Sequence, residues 1–126
     1  MNEVQRWPQI FIPLATIFDA CCEVFGLTRA EFMSWKHTRT PKLARGAAVI
    51  IARHCSPASY PEIGRALGDR ESASITNLEK RSIERQQDDP RYADAIQRSL
   101  TRALELMTER AGGGPSVAKA KLRSIQ

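Results

Sequence analysis

The stretch Tyr60-Pro-Glu-Ile-Gly-Arg-Ala-Leu-Gly-Asp-Arg-Glu-Ser-Ala-Ser-Ile75 constrains the fold of this chain more than any other. It predicts a short helix, a glycine turn and the start of a second helix that runs on through Leu78, which is a helix-turn-helix. Ser59 and Glu62 have the S-x-x-E spacing in which a side-chain oxygen and a carboxylate each cover a free backbone N–H at a helix start. Ile63, Ala66 and Leu67 form the apolar stripe of the first helix. Gly68 falls where the chain must reverse, a position that favours a residue free to take positive φ. Arg70 to Asn77 then place small polar side chains on the first two turns of the second helix, the end that such motifs push into the DNA major groove.

Charge narrows the partner. The chain has 126 residues, enough for one domain with a core of five or six helices, and 42% of them are hydrophobic, which excludes global disorder. Lys and Arg number 19 against 14 acids, for a net charge of +5, and such a balance favours a polyanionic partner when it is concentrated. From Phe32 to Pro61 there is no acid, while Lys36, Arg39, Lys42, Arg45 and Arg53 supply five positive charges. A charge run alone reads as a solvated surface; beside a helix-turn-helix it reads as a phosphate-facing one.

In chain order, residues 1–9 are expected to be a flexible N-terminal arm, 10–111 the helical domain and 112–126 a flexible basic tail, opened by Gly112-Gly-Gly-Pro115 and carrying Lys119, Lys121 and Arg123. Leu14, Ile17, Phe18, Cys21, Cys22 and Phe25 recur on one face of a helix that Gly26 ends. Thr28 and Glu31 form a second capping box, opening a short helix to about Trp35. Thr and Pro break the helical period from Lys36 to Pro41, so a basic loop is expected there, followed by a buried central helix from Lys42 to Cys55. Asp88-Asp89-Pro90 marks a helix start, and Ala93, Ile96, Leu100, Ala103, Leu104 and Met107 stripe a helix to about Arg110. Leu106 and Met107 lie on partly different faces, which offers that end to a partner or to self-association as well as to the core.

These residues carry a family resemblance. Glu62-Ile63-Gly64-Arg65-Ala66-Leu67-Gly68-Asp69-Arg70 resembles the signature of the C-terminal DNA-binding domain of the bacterial chromosomal replication initiator DnaA, and the long apolar helix, Phe25-Gly26-Leu27 and short capped helix resemble the entry to that domain. The family's Asp-His-Thr positions are Glu71, Ser72 and Ala73 here. The resemblance implies an all-α, Trp-repressor-like bundle of five to six helices over about residues 10 to 104. It also implies that Arg39 enters the minor groove and that Arg45, followed here by Gly46, touches phosphate. Lys42 and the dipole of the second motif helix are expected to assist on phosphates, with Arg70, Ser72, Ala73, Ser74 and Asn77 toward bases and Lys80 and Arg81 toward the backbone. Asn suits adenine; Ser and Ala discriminate weakly, so non-specific or shape-led binding is expected. Ser72 has a second reading, as a helix cap.

No G-x-x-x-x-G-K-S/T loop is present, so an ATP-driven initiator is excluded, and no catalytic constellation appears, so an enzyme is not expected. Cys55 beside His54 lacks metal-ligand spacing, and no metal or other cofactor is expected. Three cysteines cannot all pair, and no apolar leader or span precedes them, so a cytoplasmic, nucleoid-associated protein with free thiols is expected, with no membrane partner. The function expected is a double-stranded DNA-binding regulator of transcription or replication initiation, working beside RNA polymerase or the initiator. A single helix-turn-helix makes few base contacts, so a homodimer or a second DNA-binding protein would supply specificity. The alternative is a protein-binding adaptor that modulates the initiator or RNA polymerase.

Overall fold

In the computed structural model, residues 7, 8, 10–35 and 38–111 are described, and all regular structure among them is helical. Six helices follow one another: α1 (Leu14–Phe25), α2 (Arg29–Met33), α3 (Arg39–Cys55), α4 (Tyr60–Ala66), α5 (Ser72–Asp88) and α6 (Pro90–Arg110). The expected all-α class and the count of five to six helices agree with this.

α3 is the axis of the body. Ala44 and every residue from Gly46 to Ala52 are buried, because short side chains on all sides let α1, α5, α6 and α2 approach it together. Gly46 is the closest point of approach: a Cβ there would lie 1.9 Å from Ser82 Oγ of α5 and 2.9 Å from the Tyr92 hydroxyl of α6. That hydroxyl donates to the Leu43 carbonyl at 2.7 Å, so one glycine lets two helices meet the third. α1 and α6 make the most extensive helix pair, with Ile17, Phe18, Cys21, Ile96, Leu100 and Leu104 all buried in the core. Burying each such side chain contributes about 1.5–3 kcal/mol, which outweighs any single polar contact on the surface.

Local chemistry sets the helix ends. Thr28 with Glu31 and Ser59 with Glu62 form complete capping boxes at the starts of α2 and α4. Gly26 takes φ +68° after α1, and its backbone N–H reaches the carbonyls of Cys22 and Glu23. Asp89 accepts from the N–H groups of Arg91 and Tyr92 ahead of Pro90, which opens α6.

Two expectations are corrected, and two are made more definite. α2 ends at Met33 rather than about Trp35. α3 begins at Arg39, so Arg39 is the first helical residue and not part of a loop: Thr38 is extended as its N-cap, and Pro41 falls in the first turn, where a missing N–H leaves no bond unmade. α5 runs on through Leu78, as expected, and ends at Asp88. Leu106 and Met107 turn onto the core, Leu106 buried and Met107 partly, so of the two uses open to this end of α6 the structure shows core packing.

Trp7, in the expected arm, stacks on His54 with ring centroids 4.1 Å apart. The expected basic tail, residues 112–126, lies outside the described residues, as do Lys36 and His37. Among the described residues no helix is long and apolar enough to cross a membrane.

Candidate nucleic-acid interface

The turn between α4 and α5 is built at backbone level. Leu67 ends α4, and Gly68 and Asp69 take φ +86° and +60°, two successive left-handed residues that reverse the chain. Asp tolerates that region better than most side chains, so the second positive φ needs no further glycine. The Arg70 N–H then donates to the Gly64 carbonyl at 2.8 Å. Gly64 must lack a side chain, because a Cβ would lie 2.1 Å from the Arg70 carbonyl oxygen. Ile63, Leu67 and Ile75 are fully buried beneath the turn and lock α5 to α4.

α5 starts with Glu71 as N-cap and makes no side-chain capping bond, so Ser72 is the first helical residue and not the cap. Ser72 is half-buried, whereas Ala73, Ser74, Asn77, Lys80 and Arg81 are exposed. Thr76 is exposed on the same outward side, and its hydroxyl donates to the Ser72 carbonyl at 2.9 Å. It was missed in the sequence, although its spacing of three from Ala73 and four from Lys80 puts it on their face.

The cations divide into surface and interior. Arg39 and Lys42, at the exposed start of α3, line one groove with Arg81 and Arg85 of α5, and the acids Glu84, Asp88 and Asp89 line it as well. Arg85 was not singled out in the sequence; its spacing of four from Arg81 would have found it. Arg45 is 4% exposed, and its Nη1 donates to the carbonyls of Phe32 at 3.0 Å and Ser34 at 3.2 Å. Burial, with Arg70 close by as the second cause, pushes its pKa down to about 10, so it remains charged at neutral pH. Arg70 is partly buried, with its guanidinium held by backbone carbonyls. Its guanidinium donates to the carbonyls of Leu67 and Ser34 and lies 4.7 Å from the ring centroid of Trp35. Arg53 belongs to the far end of α3, over the Tyr60 ring at 4.2 Å and 4.0 Å from Glu79. The charge run read as one surface is therefore split among a groove, an interior strut and the opposite end of α3, with Lys36 outside the described residues.

Elsewhere the chemistry is sparse. Among the described residues no group of three or more His, Cys, Asp or Glu side chains could hold a metal. Cys21, Cys22 and Cys55 are free and buried, and burial pushes their thiols up, to about 12, 11 and 11 respectively.

Comparison with known proteins agrees with this geometry. Residues 14–81 match the family described as the bacterial dnaA protein helix-turn-helix. The chain is similar to the chromosomal replication initiator protein DnaA of Sphingopyxis alaskensis, 33% identical over 64 residues, which covers 51% of this chain and 14% of that protein. It is also similar to those of Anaplasma marginale, 24% identical over 96 residues (76% of this chain, 20% of the relative), and a Caulobacter species, 27% identical over 93 residues (74% and 19%). The chain thus spans a fifth or less of the length of these relatives.

Proposed function

The chain belongs to the bacterial DnaA helix-turn-helix family, and from that premise we propose that it binds double-stranded DNA through α5 and the cationic groove beside it. The observation that carries the reading is the placement of Arg39, Lys42, Arg81 and Arg85 along one groove, four cations against the three acids Glu84, Asp88 and Asp89 that also line it, with the exposed Ala73, Ser74 and Asn77 nearby on α5. Cations in that position hold backbone phosphates, while the outer face of α5 enters the major groove. The positive end of the α5 dipole adds to the attraction. Ala73 offers a methyl group and Ser74 a single hydroxyl, so Asn77 is the one side chain in the set that suits bidentate reading of adenine. Arg39, the exposed first residue of α3, is proposed to meet phosphate.

The action proposed is equilibrium binding without catalysis, by a regulator of replication initiation or transcription. Occupying DNA, recruiting RNA polymerase or competing with the initiator would each produce its output, and a homodimer would supply the second half-site.

Fluorescence anisotropy of the purified chain tests this, with a labelled duplex carrying the initiator's box and a scrambled duplex, each over a salt series. Binding that weakens steeply with salt on both, with a preference for the box that depends on Asn77, is the expected result. Absence of binding to either at low salt would falsify the reading.

A further inference from the structure

Exposure of one large apolar side chain is ordinary; what surrounds Trp35 is not. Trp35 stands between α2 and α3 and is 63% exposed. One face of its ring carries the Arg70 guanidinium, and Arg70 is itself fastened to the carbonyls of Ser34 and Leu67. The motif's turn closes beneath the ring edge: a Cβ on Gly68 would lie 3.8 Å from the indole nitrogen. The helix-turn-helix thus holds the ring through Arg70 and Gly68 while most of the side chain stays exposed.

Trp35 also forms a wall of a groove whose lining includes Lys42, Arg45, Arg70 and Arg81, with no acid among the described residues that line it. Ser74 and Asn77 of α5 line it as well. Four cations around an aromatic wall match the two halves of a nucleotide unit, a phosphate and a flat or weakly apolar ring. Arg45 and Arg70 are engaged with carbonyls and contribute field, whereas Lys42 and Arg81 are exposed and able to touch.

We infer that Trp35 is a DNA-contacting residue, its exposed side chain packing on a deoxyribose of the strand whose phosphate lies between Lys42 and Arg81. In a duplex the bases are stacked inside, so a ring beside the helix that enters the groove meets the sugar–phosphate rim. The contact is therefore independent of sequence and anchors α5 at a fixed depth. This rests on the DNA reading above, and the test separates the two.

The full chain with Trp7→Phe leaves Trp35 as its one tryptophan, since the chain has two. Anisotropy of a labelled duplex reports binding, while acrylamide quenching of Trp35 with unlabelled duplex reports shielding of the ring. The expected result is binding together with loss of quenching. Trp35→Ala is expected to weaken binding about tenfold on box and scrambled duplexes alike, and Trp35→Phe to retain most of the affinity. The salt slope stays unchanged in both, whereas Lys42→Ala and Arg81→Ala each lower it by about 1. Binding with unchanged quenching, or full affinity in Trp35→Ala, overturns the inference and leaves the DNA reading standing. Shielding by single-stranded DNA alone overturns the duplex assignment in favour of an unpaired base. Failure of the wild-type chain to bind any duplex removes the DNA reading itself. Should Trp7→Phe lose its helical circular dichroism, the Trp35 signal is taken as the difference between wild-type and Trp35→Phe spectra.

Discussion

Arg45 and Arg70 converge on one acceptor: Nη1 of Arg45 lies 3.2 Å, and Nη2 of Arg70 2.6 Å, from the carbonyl oxygen of Ser34. One residue belongs to the central helix and the other to the motif's turn, and the carbonyl belongs to the segment between α2 and α3. A single backbone oxygen thus ties the α2–α3 connection to the helix-turn-helix. Two guanidiniums so placed repel each other, which is part of why Arg45 titrates low. Their bonds to carbonyls, stronger for carrying charge, hold them there.

Arg45→Ala is accordingly expected to act on folding. It removes the Arg45 donor from the Phe32 carbonyl and leaves the Ser34 carbonyl with Arg70, and should cost about 2–4 kcal/mol in urea denaturation, with the salt slope of DNA binding unchanged. Arg39→Ala is expected to do the reverse, leaving stability within about 0.5 kcal/mol and lowering the slope by about 1. Exchange of these two patterns would place Arg45 in the phosphate-contacting set.

The two glycines facing other helices separate by what they face. At Gly46 the obstacle is the Ser82 side chain, which is able to rotate; at Gly64 it is the Arg70 backbone carbonyl. Gly46→Ala should destabilise by about 1–3 kcal/mol, as overpacking does. Gly64→Ala should cost more, despite a gain of about 1 kcal/mol in helix propensity, because the turn itself must move. Equal thermal midpoints for the two variants would contradict this.

Asn77→Ala tests base readout apart from phosphate binding. The residue is exposed, so the melting temperature should not move. Affinity for the preferred duplex is expected to fall by about 1–3 kcal/mol, and affinity for a scrambled one to stay unchanged. An equal loss on both would make Asn77 a backbone contact.

Stability should be flat between about pH 5 and 9 as far as the perturbed acids are concerned. Glu31 and Glu62 are pulled below 4.5 by the backbone N–H groups of Thr28 and Ser59. Their contribution is therefore present above pH 4.5 and disappears as pH falls through their folded-state values. The three buried thiols are pushed above 9.0, to about 11 and 12, so their contribution is complete below pH 9 and is lost as pH rises toward 11. Tyr92, raised to about 12 by burial, adds to that loss, while Arg45, lowered to about 10, opposes it. Urea midpoints across pH check this: Glu62→Gln should flatten the acid limb and Cys55→Ala the alkaline one.

What could be read from the sequence was what local chemistry decides. The capping boxes at Thr28 and Ser59, the reversal at Gly68 and the Asp89-Pro90 start each depend on neighbours within a few residues, and all were legible. The family resemblance was legible for the same reason, since its signature lies within one turn and its flanks. The fate of Arg45 was not, because its partners on Phe32 and Ser34 are brought to it by the packing of α2 on α3. Arg39 was misplaced through a local error, the reading of Pro41 as a breaker when three residues from Thr38 it is compatible with a first turn. Leu106 and Met107 sit at the edge of their stripe, where a period of 3.6 leaves the side undecided until α1 is in place. The Trp35 and Arg70 stack joins residues far apart in sequence and had no local signal.

Asp19 accepts from Arg29 of α2 at 2.7 Å and from Arg110 of α6 at 2.6 Å, so the first helix is finished by the last. During synthesis α6 emerges after the whole motif, and the side of α1 that it covers stays bare until then. The portion that recognises and the portion that folds are thus different lengths of chain: the family match ends at residue 81, inside α5, well short of the helix that closes the body. A chain stopped after Asp88 is expected to bind a hydrophobic dye and unfold without cooperativity, and a sharp thermal transition in that fragment would show that α6 is dispensable.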